Sequence, residues 1–441
     1  MMDISRQIAE YVISTESASM PESARAISRL SLIDWIAVAV AGRDEPVSQI
    51  VRQMMLEEGG TSQASVIGSD LKLPARAAAL SNGTTSHALD YDDTHFIYLG
   101  HPGVAVIPAA LAMAEKIGDI KLGEFIDACL IGFEVACRVG AWLGRNHYQT
   151  GFHITATAGS FGATAAVCRL MGHSIEQTTH ALGLVATRSS GIKAQFGTMG
   201  KPFHAGMAAS NGVEAATLIA AGFISNPDAM STVQGFGETH SGECNDSMLL
   251  DDLGSNYIFE TVQHKFHACC HGTHATIEAA LEACNRYQLV PENIRQISVT
   301  VHPRYLKVCN IAEPKTGLES KFSLRMTTAM AVAGNDTRRL ETFSDAACND
   351  SRLCEIRDKV TVSTDVELSE TMSRVSFEYL DQNNVEVTHD LKIPLIYQTR
   401  ELKVRNKAVS LLGEEKAEQT WQIINDANNS VSQLAGSIIQ A

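Results

Sequence analysis

Apolar side chains recur at helical spacing through most of the first 250 residues. Ile4, Ile8 and Val12 share one face of a first amphipathic segment, because a helix brings every third or fourth residue to the same side. The same period, with little β-branched alternation, continues at residues 51–57, 74–88, 104–116, 123–143, 155–171, 175–186 and 207–221. We therefore predict one large helical domain, in which only residues 64–67 resemble a strand.

The pattern changes after Gly254. Residues 294–302 (IRQISVTVH) alternate with a period of two, which is typical of a half-buried strand. Similar short runs are present at residues 359–363, 373–380 and 386–391, with helical segments at 273–286, 319–332 and 341–347. This part of the chain is predicted to form an α+β domain, and the last fifty residues return to helix.

Composition limits the class of protein and its partners. A chain of 441 residues with 45% hydrophobic and 19% charged residues is ordinary for a globular protein, and its length favours two domains. The net charge of −15 argues against nucleic acid or an anionic membrane as partner, since both require a basic surface. The N-terminus lacks a signal-peptide pattern, and the ten cysteines form no disulfide framework and no paired C-x-x-C motif. We expect a cytoplasmic protein with reduced cysteines.

The densest cluster of chemically active side chains lies in residues 81–109, SNGTTSHALDYDDTHFIYLGHPGVAVIPA. Acids and imidazoles alternate here just before a small-residue apolar helix. They could simply cap that helix and favour its dipole. Because buried acids without partners are costly unless they are used, we instead predict a recessed functional site. Its members are His87, Asp90, Asp92, Asp93, Thr94, His95 and His101.

Lys201 is the main candidate in a second segment, GTMGKPFHAGMAASNG. A lysine in a Gly-rich loop before a helix suits an anion clamp, although it could also be a solvated loop residue. His153 precedes another small-residue helix and, taken alone, is more typical of a hydrogen-bonded core histidine. His274 ends the cluster HKFHACCHGTH, whose spacing matches no common zinc motif. It is equally compatible with an acid or base and with a buried core role.

Residues 90–94 also fit the D-x-D-x-T pattern of haloacid-dehalogenase-like phosphatases. That chemistry requires an apolar parallel strand directly upstream, and residues 77–88 have helical composition instead. The phosphatase hypothesis is therefore not favoured.

Four segments in this order resemble the MmgE/PrpD family: SHALDYDDTHFIYLGHPGVAVIPA, GFHITATAGSFGATAA, FGTMGKPFHAGMAASNGVEAA and KFHACCHGTHATIEA. That family includes 2-methylcitrate dehydratase, cis-aconitate decarboxylase and iminodisuccinate epimerase. The resemblance implies a mostly α fold, with a large helical domain (residues 1–262 and 395–441) and a smaller α+β lid domain (residues 263–394). It also implies a homodimer that works without metal or organic cofactor.

The resemblance further implies site residues. The decarboxylase-like acid and hydroxyl fall on Asp90 and Thr94, and the lysine falls on Lys201. Its histidines correspond to His101, His153 and His274. Where family members commonly read FSLPY, this chain has Phe322-Ser323-Leu324-Arg325-Met326, so a phenol is missing and Arg325 is a candidate carboxylate ligand.

These residues lead to a mechanistic hypothesis. His101 exchanges a proton at a carbon next to a carboxylate and is oriented by Asp90, while Thr94 and Lys201 hold a carboxylate of the substrate. The expected activity is that of a lyase of the 2-methylcitrate dehydratase type on a small di- or tricarboxylate. An epimerase of the iminodisuccinate type, a decarboxylase of the cis-aconitate type and a non-catalytic polycarboxylate-binding protein remain alternatives.

Overall fold

A computed structural model describes residues 4–381 and 383–439 of the chain. The chain divides into two compact units, one of Met1–His264 with Leu411–Ala441 and one of Lys265–Ser410. Helices predominate in both units, and the strands of a larger sheet are confined to the second. The predicted fold class, mostly α with a large helical part and a smaller α+β part, is confirmed.

The first unit is a helical assembly. Its helices up to the border are α1 (Ile4–Ser14), α2 (Glu22–Ala41), α3 (Pro46–Glu58), α4 (Ala75–His87), α5 (Gly103–Ile117), α6 (Leu122–Thr150), α7 (Ile154–Leu170), α8 (Ile175–Ala186), α9 (Gly200–Ala220), α10 (Phe236–Thr239) and α11 (Asp246–Leu250). Gly144 interrupts α6 with a φ of +71°, which divides it into two helical segments. The strands β1 (Ala64–Ser65) and β2 (Lys72–Leu73) pair as a short antiparallel ribbon.

The second unit contains α12 (His274–Tyr287), α13 (Gly317–Ser320), α14 (Leu324–Val332), α15 (Asp345–Cys348), α16 (Ser351–Asp358) and α17 (Tyr397–Leu412), whose last residues pass the border. The chain then re-enters the first unit as α18 (Glu414–Asn425) and α19 (Val431–Ile439), which pack against α2 and α5 respectively.

A four-stranded mixed sheet forms the centre of the second unit. Its strands are β3 (Ile294–Val301), β4 (Val360–Thr364), β5 (Met372–Tyr379) and β6 (Asn384–Asp390), in the order β4-β3-β5-β6. β3 is parallel to β4 and antiparallel to β5, and β5 is antiparallel to β6. Alternate residues of β3 and β5 are buried, as the period of two predicts, and α12 packs against β5 and β6.

Small residues allow the central helices of the first unit to approach closely. A Cβ atom added to Gly83 of α4 would lie 2.8 Å from the Cα of Gly206 in α9. A Cβ atom on Gly132 of α6 would lie 2.7 Å from the carbonyl oxygen of Gly162 in α7. Backbones in such contact leave no room for a larger side chain. The small residues at these contacts therefore set the short distance between the packed helices.

Within the described residues, no helix combines the length and the apolar character that crossing a membrane requires.

Candidate active site

The predicted site residues of the first unit lie at the ends of its central helices. His87 is the last residue of α4, and His101 comes two positions before α5 begins at Gly103. His153 directly precedes α7, and Lys201 is the second residue of α9. The amino ends of three helices therefore lie at this cluster, where the helix dipoles favour negative charge.

Asp92 connects two imidazole rings. His87 Nδ1 donates a hydrogen bond to Asp92 Oδ1 (2.9 Å), and His101 Nδ1 lies 2.8 Å from Asp92 Oδ2. Burial alone would raise the pKa of Asp92, but its interactions with the rings of His87 and His101 outweigh burial and hold this pKa well below 3.8. Asp92 is therefore an anion at neutral pH.

The position of Asp92 determines which nitrogen of His101 is basic. An ionised carboxylate only accepts hydrogen bonds, so we place the ring proton on Nδ1 and leave Nε2 unprotonated. Burial lowers the pKa of His101 to about 4, and the charge of Asp92 opposes this shift without cancelling it. His101 is thus a neutral, oriented base at neutral pH.

Asp90 lies on the other side of this ring. Its Oδ1 is 3.7 Å from His101 Nε2, and its Oδ2 is 2.7 Å from Lys201 Nζ. Asp92 is thus the carboxylate at Nδ1 of His101, whereas Asp90 lies with Lys201 on the side of Nε2. The sequence-based hypothesis that Asp90 orients His101 stays a prediction. Asp90 has a φ of +50°, an uncommon conformation for a residue other than glycine, and functional sites are enriched in such backbone.

Asp93 has a different function from its neighbour. Its Oδ1 accepts a hydrogen bond from the Gly103 amide (3.0 Å), at the start of α5. Burial, and then the charges of Asp92 and Asp34, raise the pKa of Asp93 to about 8. The alternative interpretation of the acid cluster, a helix cap, therefore applies to this one carboxyl group.

A second pair of imidazoles lies beside the first. His153 Nδ1 is 3.1 Å from His204 Nδ1, and the rings of His153 and His87 stack with centroids 6.1 Å apart. Burial lowers the pKa of His153 well below 6.5, and the charges of His87 and Lys201 lower it further. Burial also lowers the pKa of His204, so both rings of the pair are neutral at neutral pH, and one must donate to the other.

Thr94 follows this cluster on the chain. Its backbone exchanges two hydrogen bonds of 2.7 Å with Gln263, which fixes the segment between Asp90 and His101. The structure thus brings Asp90, His101, His153 and Lys201 together within the first unit, with Thr94 on the same segment.

His274 and Arg325 belong to the second unit. His274 opens α12, is buried, and has its Nε2 3.3 Å from the Cys269 carbonyl oxygen. Burial lowers its pKa well below 6.5, as do the charges of His271 and His267. Arg325 is in the first turn of α14, and its buried Nε has no hydrogen-bond partner among the described residues. An unsatisfied guanidinium donor is a plain candidate for binding an anion.

Sequence reasoning assigned no role to three residues of the site: His87, Asp92 and His204. The first two were visible in the dense segment, but proximity along the chain could not show which acid faces which ring. His204 is three positions after Lys201 in the same helix, so helical spacing alone places it on a related face. His87 Nε2 is buried and has no hydrogen-bond partner among the described residues, which leaves it available to a ligand.

Four side chains of the site could also hold a metal ion. His87, Asp90, Asp92 and His101 each offer a ligand atom, and these atoms lie within 4.8 Å of one another. Against this, the ammonium of Lys201 already contacts Asp90, and a neighbouring cation opposes binding of another. The expectation of a metal-free site remains a prediction that chelation can test.

Models of one family match both parts of the chain. The MmgE/PrpD N-terminal domain matches residues 6–247, and the MmgE/PrpD C-terminal domain matches residues 267–428. The chain is similar to the cis-aconitate decarboxylase of Aspergillus terreus, with 25% identity over 98% of this chain and 94% of that protein. It is also similar to the cis-aconitate decarboxylase-like protein oryM of Aspergillus oryzae, with 27% identity over 68% of this chain and 66% of that protein. The human cis-aconitate decarboxylase is 29% identical over 48% of this chain and 44% of its own length. With both domain models matched over most of its length, the chain belongs to the MmgE/PrpD family.

Proposed function

We propose that this protein is a lyase that removes a proton next to a carboxylate of a small di- or tricarboxylate, as a dehydratase of the 2-methylcitrate type does. The observation that carries the proposal is the orientation of His101. Asp92 contacts its Nδ1, and its Nε2 faces the pair of Asp90 and Lys201. A neutral, largely buried imidazole that is held at one nitrogen is well positioned to act as a general base.

The proposed reaction uses His101 first as a base. Its Nε2 takes the proton from the carbon next to the carboxylate, and the electron pair of that bond becomes the new carbon–carbon double bond. The hydroxyl group on the neighbouring carbon leaves as water with the proton that His101 has just taken up. His101 is thereby returned to its neutral form, so the balance is one substrate converted to one alkene and one water.

Recognition of an anionic substrate follows from the same geometry. Three helix amino ends and Lys201 favour carboxylate groups, as in many anion sites. Asp90 already pairs with Lys201, but an ammonium has three donors and can bind a second carboxylate. We further propose that Thr94, a neutral donor on the same segment as Asp90, contributes to the binding of the carboxylates, and that Arg325 of the second unit is a separate anion ligand.

Decarboxylation is a second candidate, because the similar proteins are described as cis-aconitate decarboxylases. In that reaction the carbon–carbon bond to a carboxylate breaks, carbon dioxide leaves with no added electrons, and the resulting carbanion takes a proton. His101 would have to be protonated at that moment, which its lowered pKa disfavours before a substrate binds.

Incubation in deuterated water with 2-methylcitrate, cis-aconitate or iminodisuccinate, each in turn, distinguishes these activities. An alkene product formed from 2-methylcitrate with loss of water supports the dehydratase proposal. Carbon dioxide release from cis-aconitate supports the decarboxylase instead. Deuterium uptake with inverted chirality in iminodisuccinate, without an alkene, would overturn both in favour of an epimerase. Thermal stabilisation by these compounds without any turnover would indicate a binding protein.

Two variants and one chelation control test the site itself. His101→Ala and Lys201→Ala are expected to abolish turnover while the circular dichroism spectrum stays that of the unmodified protein. Full activity in either variant would show that the replaced residue is not required for turnover.

Dialysis against EDTA is expected to leave the rate unchanged. A loss that is restored by a divalent metal would instead assign the cluster of His87, Asp90, Asp92 and His101 to that metal.

A further inference from the structure

Two cysteines of the second unit lie in contact outside the proposed site. Cys309 Sγ is 3.3 Å from Cys270 Sγ, although the two residues are far apart in the sequence. Cys309 is fully buried and Cys270 is half-buried. Cys270 is therefore the more exposed residue of the pair, and the sulfur of Cys309 is in contact with its sulfur.

The backbone around the pair brings the two sulfurs together. The Cys270 amide donates to the Lys321 carbonyl (3.1 Å), and the Leu324 amide donates to the Cys309 carbonyl (2.8 Å). Both cysteines are thus fixed to the same short segment, which leads into α14. Gly272 contributes as well, because a Cβ atom there would lie 2.9 Å from Cys309 Sγ and 2.6 Å from the Tyr305 ring. The absence of a side chain at Gly272 lets the two segments meet.

We propose that Cys270 and Cys309 form a reversible intramolecular disulfide when the protein meets a two-electron oxidant such as hydrogen peroxide. The Cys270 sulfur attacks one peroxide oxygen, the O–O bond breaks, and a sulfenic acid and one water form. The Cys309 sulfur then displaces the hydroxyl group of the sulfenic acid, which leaves as a second water. Two thiols and one peroxide give one disulfide and two waters, and a dithiol such as dithiothreitol reverses the change.

The surroundings of the two cysteines give each a different role in disulfide formation. The hydrogen bond to Cys270, and then burial, raise the pKa of Cys309. A thiol with a raised pKa is a poor first nucleophile. Cys309 is therefore the sulfur that completes the bond, and Cys270 is the one that first meets the oxidant.

The disulfide would connect two segments that carry candidate substrate ligands. Cys270 lies four residues before His274, at the start of α12, and Cys309 is hydrogen-bonded to the first residue of α14, which contains Arg325. Oxidation would thus restrict the motion of both helix starts within the second unit. This inference does not depend on the proposed reaction, since the bond can be detected without any substrate.

Peptide mapping of the full-length protein tests the proposal. The protein is treated with hydrogen peroxide, the remaining thiols are alkylated, and the digest is analysed by mass spectrometry. We expect free thiols to fall by two from the ten cysteines of the chain, with a cross-linked peptide joining Cys270 to Cys309 that dithiothreitol removes. Alkylation of both sulfurs to the same extent as before oxidation would overturn the proposal. A cross-link through Cys269 would do the same.

Serine variants supply the matched controls. Cys270→Ser and Cys309→Ser should each abolish the cross-link. Cys284→Ser, which removes a half-buried cysteine elsewhere in the same unit, should leave it unchanged. The unfolding temperature of the oxidised protein should rise in the Cys284→Ser variant and stay constant in the other two, because only a closed loop restricts the unfolded chain. If all three variants gave the same cross-link and the same change in unfolding temperature, the pairing of Cys270 with Cys309 would be contradicted. The peptide map of the unmodified protein tests the pairing even if a variant fails to fold.

Discussion

Asp90, Asp92 and Asp93 occupy four consecutive positions with Tyr91, yet each carboxyl group has its own partners. Asp90 contacts Lys201, Asp92 contacts two imidazoles, and Asp93 accepts from the start of α5. The sequence could place the acids near one another, because they lie within four consecutive residues. It could not assign their partners, since the direction of each side chain depends on the tight backbone of this segment, including the positive φ of Asp90.

Asp92→Asn is the sharpest test of the proposed base. An amide can donate as well as accept, so it no longer enforces the Nδ1–H form of His101, and Nε2 loses its basic lone pair in part of the molecules. We expect kcat to fall by roughly a thousandfold or more, the order of magnitude for loss of a comparable orienting aspartate. Steady-state kinetics with whichever of the three test compounds the unmodified protein converts provides the measurement.

Asp93→Asn is the matched control for that variant, because Asp93 is the next residue and is equally buried. An asparagine oxygen can still accept from the Gly103 amide, so its kcat should stay within about tenfold of the unmodified value. If both variants lost activity equally, the effect would be structural rather than specific to His101.

The pH dependence of kcat/KM follows from the pKa of His101, which burial lowers to about 4. The neutral imidazole is the active base, so activity should decline as the pH falls through about 4, and not through the value near 6.5 that an exposed histidine has. Measuring kcat/KM between pH 3.5 and 8 detects this decline. A rate that increases on acidification would contradict a base role and favour a protonated His101.

Loss of stability at low pH limits the range over which this activity profile can be measured. Burial also lowers the pKa of His95 to about 4. A histidine with a lowered folded pKa is protonated more readily when unfolded, so its contribution to stability is complete above pH 6.5 and is lost as the pH falls towards 4. Circular dichroism at each pH separates unfolding from protonation of the base.

Among the elements, long periodic helices were the easiest to predict and their ends the hardest. The helix expected at residues 207–221 begins at Gly200 in the structure, so Lys201 lies inside its first turn and not in a preceding loop. Glycine disfavours helix in isolation, and here the packing of α9 on α4 outweighs that preference.

Residues 319–332 form α13 and α14 instead of one helix, because the Ser323 hydroxyl accepts a hydrogen bond from the Met326 amide and starts a new helix. Such caps depend on side-chain direction, which periodicity does not contain.

Gly206→Ala tests whether the contact between α4 and α9 positions the site. A Cβ atom at Gly206 would overlap the carbonyl oxygen of Leu80 and the hydroxyl of Thr84. The two helices must then separate, which should lower stability by about 1–3 kcal/mol and reduce turnover, because α4 carries His87 and α9 carries Lys201. Denaturant unfolding and steady-state kinetics measure the two effects.

Gly436→Ala is the control for that substitution. Gly436 lies in α19 with open space around the position of an added Cβ atom. Alanine there should stabilise the helix by up to about 1 kcal/mol and leave turnover unchanged. A Gly206→Ala protein with normal stability and activity would mean that the helices tolerate a wider separation than their packing suggests.

At the scale of the whole molecule, the first unit is completed by a part of the chain that returns after the second unit. α19 covers α5, the helix that begins just after His101, and α18 covers α2. The helical character of the last fifty residues was predictable from their pattern. The surface on which they pack was not, because residues 265–410 intervene and periodicity within a segment does not identify a distant partner.

Leu434→Ala tests this completion of the first unit. Leu434 in α19 is fully buried, and its truncation should destabilise the protein by about 2–5 kcal/mol through lost burial and the cavity left behind. Ser432→Ala, an exposed change two positions earlier in the same helix, should shift the unfolding midpoint hardly at all. Denaturant titration of both variants beside the unmodified protein is the measurement. Equal midpoints for Leu434→Ala and Ser432→Ala would show that α19 contributes nothing to the stability of the first unit, and residues 4–264 would then have to form its core without the returning segment.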